Sequence, residues 1–241
     1  MTTFNKKLSA LAICAAAIAS ANVNAAPETT LTVAGKFIPA ACVPTLANSG
    51  KVDFGSMNMS TIATATEGNS LVQLERKTIN LTVTCDAATA VGVVAQDNRT
   101  SSRVALSNTA YIEDYATTAG DNMKISGPAF GLGATTDSKN IGSYIITALP
   151  TGLTVDGKSA GYLIKDTDSA QGWLSVDAGG PFYPDGSRIV TVADAGKTTP
   201  KYFTEMVMPL YIAAGVQTKA QLGESTEISL DGNATLSLVY L

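Results

Sequence analysis

The hydrophobic period of this chain limits its fold more than any other feature. Leu31, Val33, Gly35 and Phe37 alternate with Thr32, Ala34 and Lys36, and Ile79, Leu81 and Val83 alternate with Asn80, Thr82 and Thr84. Residues 91–95 form a continuous apolar run, and strand-like runs follow at 141–148, 161–165, 188–192, 207–213, 227–230 and 234–241. A period of two puts alternate side chains on opposite faces of a strand, and the runs are rich in Val, Ile, Thr and Tyr and bounded by Gly, Asn, Asp and Pro. No stretch beyond the N-terminus carries a convincing amphipathic helical pattern. The pattern predicts an all-β fold, an antiparallel β-sandwich with at most a short helix in a connection. Between residues 97 and 200 the chain is dense in Asp, Asn, Ser, Thr and Gly, which predicts elaborated middle loops on a single sandwich.

The N-terminus reads differently. Lys6 and Lys7 precede the apolar run 8–18 and the small-residue segment 20–26, the pattern of a secretory signal peptide. Cleavage after Ala25, with Val23 three residues upstream, leaves a domain of residues 26–241; the apolar run is too short to span a bilayer, which takes about 20 residues. Cys14 leaves with the signal, so Cys42 and Cys85 remain, and in an oxidising compartment they are expected to form one disulfide. Without a C-x-x-C spacing or a histidine to activate a thiolate, a redox pair is a poor alternative.

The 241 residues include no histidine, which removes the usual general base and the commonest zinc ligand. Only 15% are charged, against about 25% in an average domain. The net charge of −4 argues against a phosphate-coating nucleic-acid binder. Gly157-Lys158-Ser159-Ala160-Gly161 spells a nucleophile-elbow string, but with no histidine to serve it the segment reads as a turn between strands. The glycine-rich stretch 127–133 has neither dinucleotide nor P-loop spacing and reads as close backbone approach. Asp166, Asp168 and Asp177 lack the glycine and the glutamate of a calcium loop. No pair of acids stands out for carboxylate catalysis, so no enzyme, metal or cofactor is expected. Trp173, Tyr183 and Asp185, with Phe182 and Asp177 beside them, form a possible ligand loop for a glycan.

The two ends of the chain carry the strongest signals. Phe37-Ile38-Pro39-Ala40-Ala41-Cys42-Val43-Pro44 is followed by Gly50-Lys51-Val52-Asp53-Phe54-Gly55. Ile79-Asn80-Leu81-Thr82-Val83-Thr84-Cys85 ends on the second cysteine, and Gly232-Asn233-Ala234-Thr235-Leu236-Ser237-Leu238-Val239-Tyr240-Leu241 closes on a penultimate tyrosine. This combination resembles the subunits of chaperone–usher fimbriae, whose partner cysteine closes a loop to the next sheet. A fimbrial-type family of secreted proteins linked to such assembly systems looks similar also in Phe130-Gly131-Leu132-Gly133 and Ile141-Gly142-Ser143-Tyr144.

The resemblance implies an immunoglobulin-like, pilin-type sandwich that lacks its last strand and is completed by a strand from a partner. Ala234, Leu236, Leu238 and Tyr240 would then face inward and meet a periplasmic chaperone. Leu31, Val33, Gly35 and Phe37 would be either the donor strand or the first strand of the sandwich. The implied partners are that chaperone, an outer-membrane usher and neighbouring fimbrial subunits, with export to the periplasm and a place in a fimbrium at the bacterial cell surface, contributing to adhesion. A glycan-binding adhesin subunit using the middle loops is the alternative.

Overall fold

The computed structural model describes residues 29–36, 40–116, 120–223 and 227–241. The expected signal peptide and Phe37 lie outside them. Contacts divide the chain into Met1–Ile38 and Pro39–Leu241. In the first unit residues 29–36 carry neither strand nor helix, and Leu31 and Val33 are 87% and 90% exposed. Leu31, Val33 and Gly35 thus carry no strand in this structure.

The second unit runs β1 (Cys42–Leu46), β2 (Leu71–Gln73), β3 (Lys77–Thr89), β4 (Val91–Asp97), β5 (Phe130–Gly131), β6 (Gly142–Ala148), β7 (Thr154–Val155), β8 (Lys158–Ser159), β9 (Gly161–Asp166), β10 (Leu174–Ser175), β11 (Gly180–Pro181), β12 (Arg188–Ala193), β13 (Phe203–Gln217), α1 (Lys219–Leu222) and β14 (Ala234–Tyr240). All ladders are antiparallel and make two sheets, as an all-β sandwich requires. One has the order β1-β3-β13-β6-β11, with β2 and β7 on β13, β5 on β6 and β8 on β7; the other has the order β10-β9-β12-β4-β14. The expected strand at 227–230 is absent, since those residues carry no regular structure.

The period of two explains the core. Ile79, Leu81 and Val83 of β3 and Met206, Met208, Leu210 and Ile212 of β13 face Val91 and Val93 of β4 and Val190 and Val192 of β12, all buried in one cluster. Intervening residues face outward, yet Ile145 and Ala213 are buried too, because the loop around Leu106, Ile112 and Met123 packs over the outer face of the first sheet. The polar middle of the chain thus covers a second, smaller apolar cluster.

Gly142 allows β6 and β13 to approach, since a Cβ there would lie 2.2 Å from the Gly215 carbonyl oxygen. Cys42 and Cys85 are bonded and stand directly opposite each other on β1 and β3. The disulfide therefore ties neighbouring strands of one sheet, and the expected link to the next sheet is corrected.

Candidate functional site

β14 pairs with β4 in an unbroken register from Ala234↔Asp97 to Tyr240↔Val91. It ends its sheet, as β1 ends the other. Leu236 stands opposite Ala95 and Leu238 opposite Val93 on the same face, yet Ala95 and Val93 are at most 1% exposed while Ala234, Leu236 and Leu238 are only half-buried. The difference arises because β4 has a strand on either side and β14 has one.

Among the described residues neither outer edge carries a further strand, and the two edges touch where β1 begins and β14 ends. There the Cys42 N–H donates to the Tyr240 hydroxyl at 3.1 Å. Tyr240 itself is 52% exposed, so it joins the edges and does not share the half-burial of Leu236 and Leu238.

Away from that contact, residues 51–58 carry no regular structure and a cleft of about 170 Å³ opens. Leu46, Val52 and Phe54 line it from the side of β1, and Leu230, Ala234 and Leu236 from the side of β14. Beneath lie Ile79, Tyr144, Ile146, Leu210 and Ile212, which are core residues of the first sheet. A hollow of about 490 Å³ shares Val52, Phe54 and Leu230 with the cleft and extends it over Ile141, Val216 and Leu222, past Met57 and Ile228.

No charged residue lines the cleft, while Lys51, Asp53 and Glu227 line the hollow. At its rim Lys51 and Asp53 pair at 2.8 Å, and the hydrogen bond from Lys51, with that from the Gly55 N–H, holds the Asp53 carboxyl below its usual range. Burial pushes the Tyr144 hydroxyl far up, so it stays neutral. Chemically the groove offers apolar contact and unpaired strand edges. An extended chain with alternating apolar side chains satisfies both.

The possible ligand loop is dispersed. Trp173 lies by the Lys165 ammonium and Tyr183 over the Arg188 guanidinium, whose carboxylate partner is Asp166. Lys165 and Asp166 are successive residues of β9 and point to opposite faces. Trp173 and Tyr183 are thus not brought together. Asp185 accepts from the Ser187 N–H and hydroxyl in a local turn, and Phe182 is core. Ser159 of the elbow string is an exposed hairpin residue beyond the turn at Asp156 and Gly157, both with positive φ. The stretch 127–133 does provide close approach, since a Cβ on Gly131 would lie 2.3 Å from the Arg99 carbonyl oxygen.

Residues 31–145 match the family described as protein of unknown function DUF1120. The chain is 36% identical over 253 residues to Protein GltF of Escherichia coli K12, covering 99% of both chains. The chain belongs to this family. It is also 31% identical over 240 residues to Uncharacterized protein YhcF of the same organism, covering 96% of this chain and 98% of that one.

The DUF1120 match includes the wall formed by Leu46, Val52 and Phe54 and stops within β6, whereas both relatives align over the β14 side as well. Sequence reasoning noted Val52-Asp53-Phe54-Gly55 without a role, and it missed Leu46 and Leu230 as lining residues. The available signal was the apolar Val52 and Phe54 two apart, in a segment too short to bury them alone.

Proposed function

We propose that the chain is a structural or accessory subunit of a chaperone–usher fimbria, assembled by donor-strand complementation. One observation carries this reading. The inner row of β14, Ala234, Leu236 and Leu238, is half-buried along a cleft that reaches core residues between two free sheet edges. Apolar edges of this kind invite pairing with another chain. A strand laid there would bury the row and pair the edge, first from a periplasmic chaperone and then from a neighbouring subunit delivered at an outer-membrane usher. The exposed alternating residues Leu31, Val33 and Gly35 suit the donor role. The work is non-covalent assembly that contributes to surface adhesion, after export through the signal at 1–25.

The test is recovery of the protein from periplasm with its cognate chaperone. Deleting residues 234–241, or placing a charge in the cleft with Leu236→Arg, is expected to abolish the complex. Because Leu236 is half-buried, the point variant is expected to fold and to melt within a few degrees of wild type. Undiminished chaperone binding by a folded Leu236→Arg protein would sink the proposal.

A further inference from the structure

On the β14 side of the groove residues 227–233 carry no regular structure, so contacts other than a strand ladder must fix their position. The turn after β4 supplies them. The Asn98 N–H donates to the Asn233 carbonyl at 3.0 Å, and the Asn98 amide reaches Asn233 Oδ1 at 2.5 Å and Thr235 Oγ1 at 3.0 Å. Next to it, Arg99 Nε and Nη2 approach Asp231 Oδ2 at 2.9 and 2.8 Å.

The turn itself is anchored in the sandwich. The buried Asp97 carboxylate accepts from the N–H of Arg99 at 2.8 Å and from the N–H of Gly131 at 3.0 Å. On the other side of the wall the Asp231 N–H donates to the Leu132 carbonyl, and a Cβ on Gly232 would lie 2.9 Å from the Tyr144 ring. Leu230, Gly232 and Ala234, which line the cleft, therefore flank two clasped residues, Asp231 and Asn233.

We propose that the Arg99–Asp231 pair is a positioning clasp that holds the groove wall open for an incoming strand and so sets how long that strand stays bound. The inference rests on the strand-acceptance reading above. A preformed wall spares the bound state the cost of ordering it. The pair is partly exposed, at 40% and 63% of the two side chains, so solvent and salt reach it and the clasp can yield. It is a device of control, with little share in overall stability.

The experiment uses the purified chain and a labelled synthetic peptide of residues 26–41, with release followed by fluorescence anisotropy. Asp231→Asn keeps the side-chain shape and removes the charge. It is expected to release the peptide at least about fivefold faster than wild type, the size of a modest coupling between neighbouring groups. The double exchange Arg99→Asp with Asp231→Arg is expected to restore slow release. High salt should speed release from wild type and leave Asp231→Asn unchanged. Thermal melts of all variants are expected to coincide within a few degrees, which separates the clasp from a folding defect. Equal release by wild type and Asp231→Asn would overturn the clasp, as would a charge exchange as fast as the single variant. No capture of the peptide by wild type would instead overturn the strand-acceptance reading.

Discussion

Removing the disulfide tests how the groove is built. The bond joins residues separated by 43 positions, for which chain entropy alone assigns about 4 kcal/mol at 25 °C. In a domain of this size each kcal/mol shifts Tm by about 2–4 °C, so the variant with both Cys42→Ser and Cys85→Ser is expected to melt about 8–16 °C below wild type. β1 should feel the loss first. Its Val43, Pro44 and Thr45 are exposed and only its two ends are half-buried, so little apolar contact replaces the cross-link once the ladder with β3 stands alone. Amide hydrogens of β1 are then expected to exchange far faster than those of β13, which has strands on both sides along most of its length. Loss of β1 would free Leu46 and the Val52 and Phe54 wall behind it. The assay is a pair of thermal melts, oxidised wild type against the double variant, joined to hydrogen exchange resolved at β1 and β13. A Tm decrease below about 3 °C would refute the loop-closure magnitude, and unchanged protection of β1 would refute its dependence on the cross-link.

Two further outcomes test the fold. Gly142→Ala would set a Cβ 2.2 Å from the Gly215 carbonyl oxygen and 2.8 Å from Val216 Cα, both backbone of β13, so a loss of about 3 kcal/mol is expected from the urea midpoint; a loss under 1 kcal/mol would contradict the β6–β13 register. The hydrogen bond from Arg188 holds the Asp166 carboxyl below its usual range in the folded chain. A folded pKa below the unfolded one gives stability that is present above about pH 4 and is lost as pH falls through the folded value. Melts at pH 7 and pH 3 are expected to show a larger acid loss in wild type than in Asp166→Asn, and equal losses would remove the ion pair from the acid limb.

The longer core strands were legible, whereas the two- and three-residue strands β2, β5, β7 and β11 are too short to show a period although they too meet the core. Residues 79–83, 91–95, 141–148, 188–192 and 207–213 all fall in observed strands or within one residue of them, because alternation records burial on one side and a short continuous apolar run records burial on both. The pattern was misleading at Leu31, Val33 and Gly35, where the same alternation stands in exposed chain without a strand. At 227–230 a short alternating pattern instead forms part of a groove wall, with Ile228 and Leu230 half-buried against the core and no strand ladder. The strand at Cys42–Leu46 was hidden by Pro44 and by three exposed residues in a row, since an edge strand needs no apolar face where it meets solvent. The spatial arrangement of Trp173 and Tyr183 was not legible either. Nearness in sequence placed Trp173 beside Tyr183, but Trp173 lies by Lys165 while Tyr183 lies over Arg188, whose carboxylate partner Asp166 follows Lys165 on β9 and points to the opposite face.

The groove was the least legible feature, because a period of two reports which face a side chain takes and not whether a neighbouring strand covers it. Ala234, Leu236 and Leu238 read the same beside a complete sheet as beside an open cleft. A different signal was present. Edge strands in soluble proteins are guarded by charge, proline, a bulge or short length. β1 has Pro44, and β10 is two residues long. β14 runs for seven residues, Ala-Thr-Leu-Ser-Leu-Val-Tyr, with neither charge nor proline, and its register with β4 has no bulge. An unguarded edge of that length is costly to leave uncovered, and under the strand-acceptance reading its lack of protection is what leaves the backbone free to pair. The same reasoning sets the effect of guarding it: a lysine at Ser237, exposed and clear of the cleft lining, would change the edge without touching the apolar row beneath.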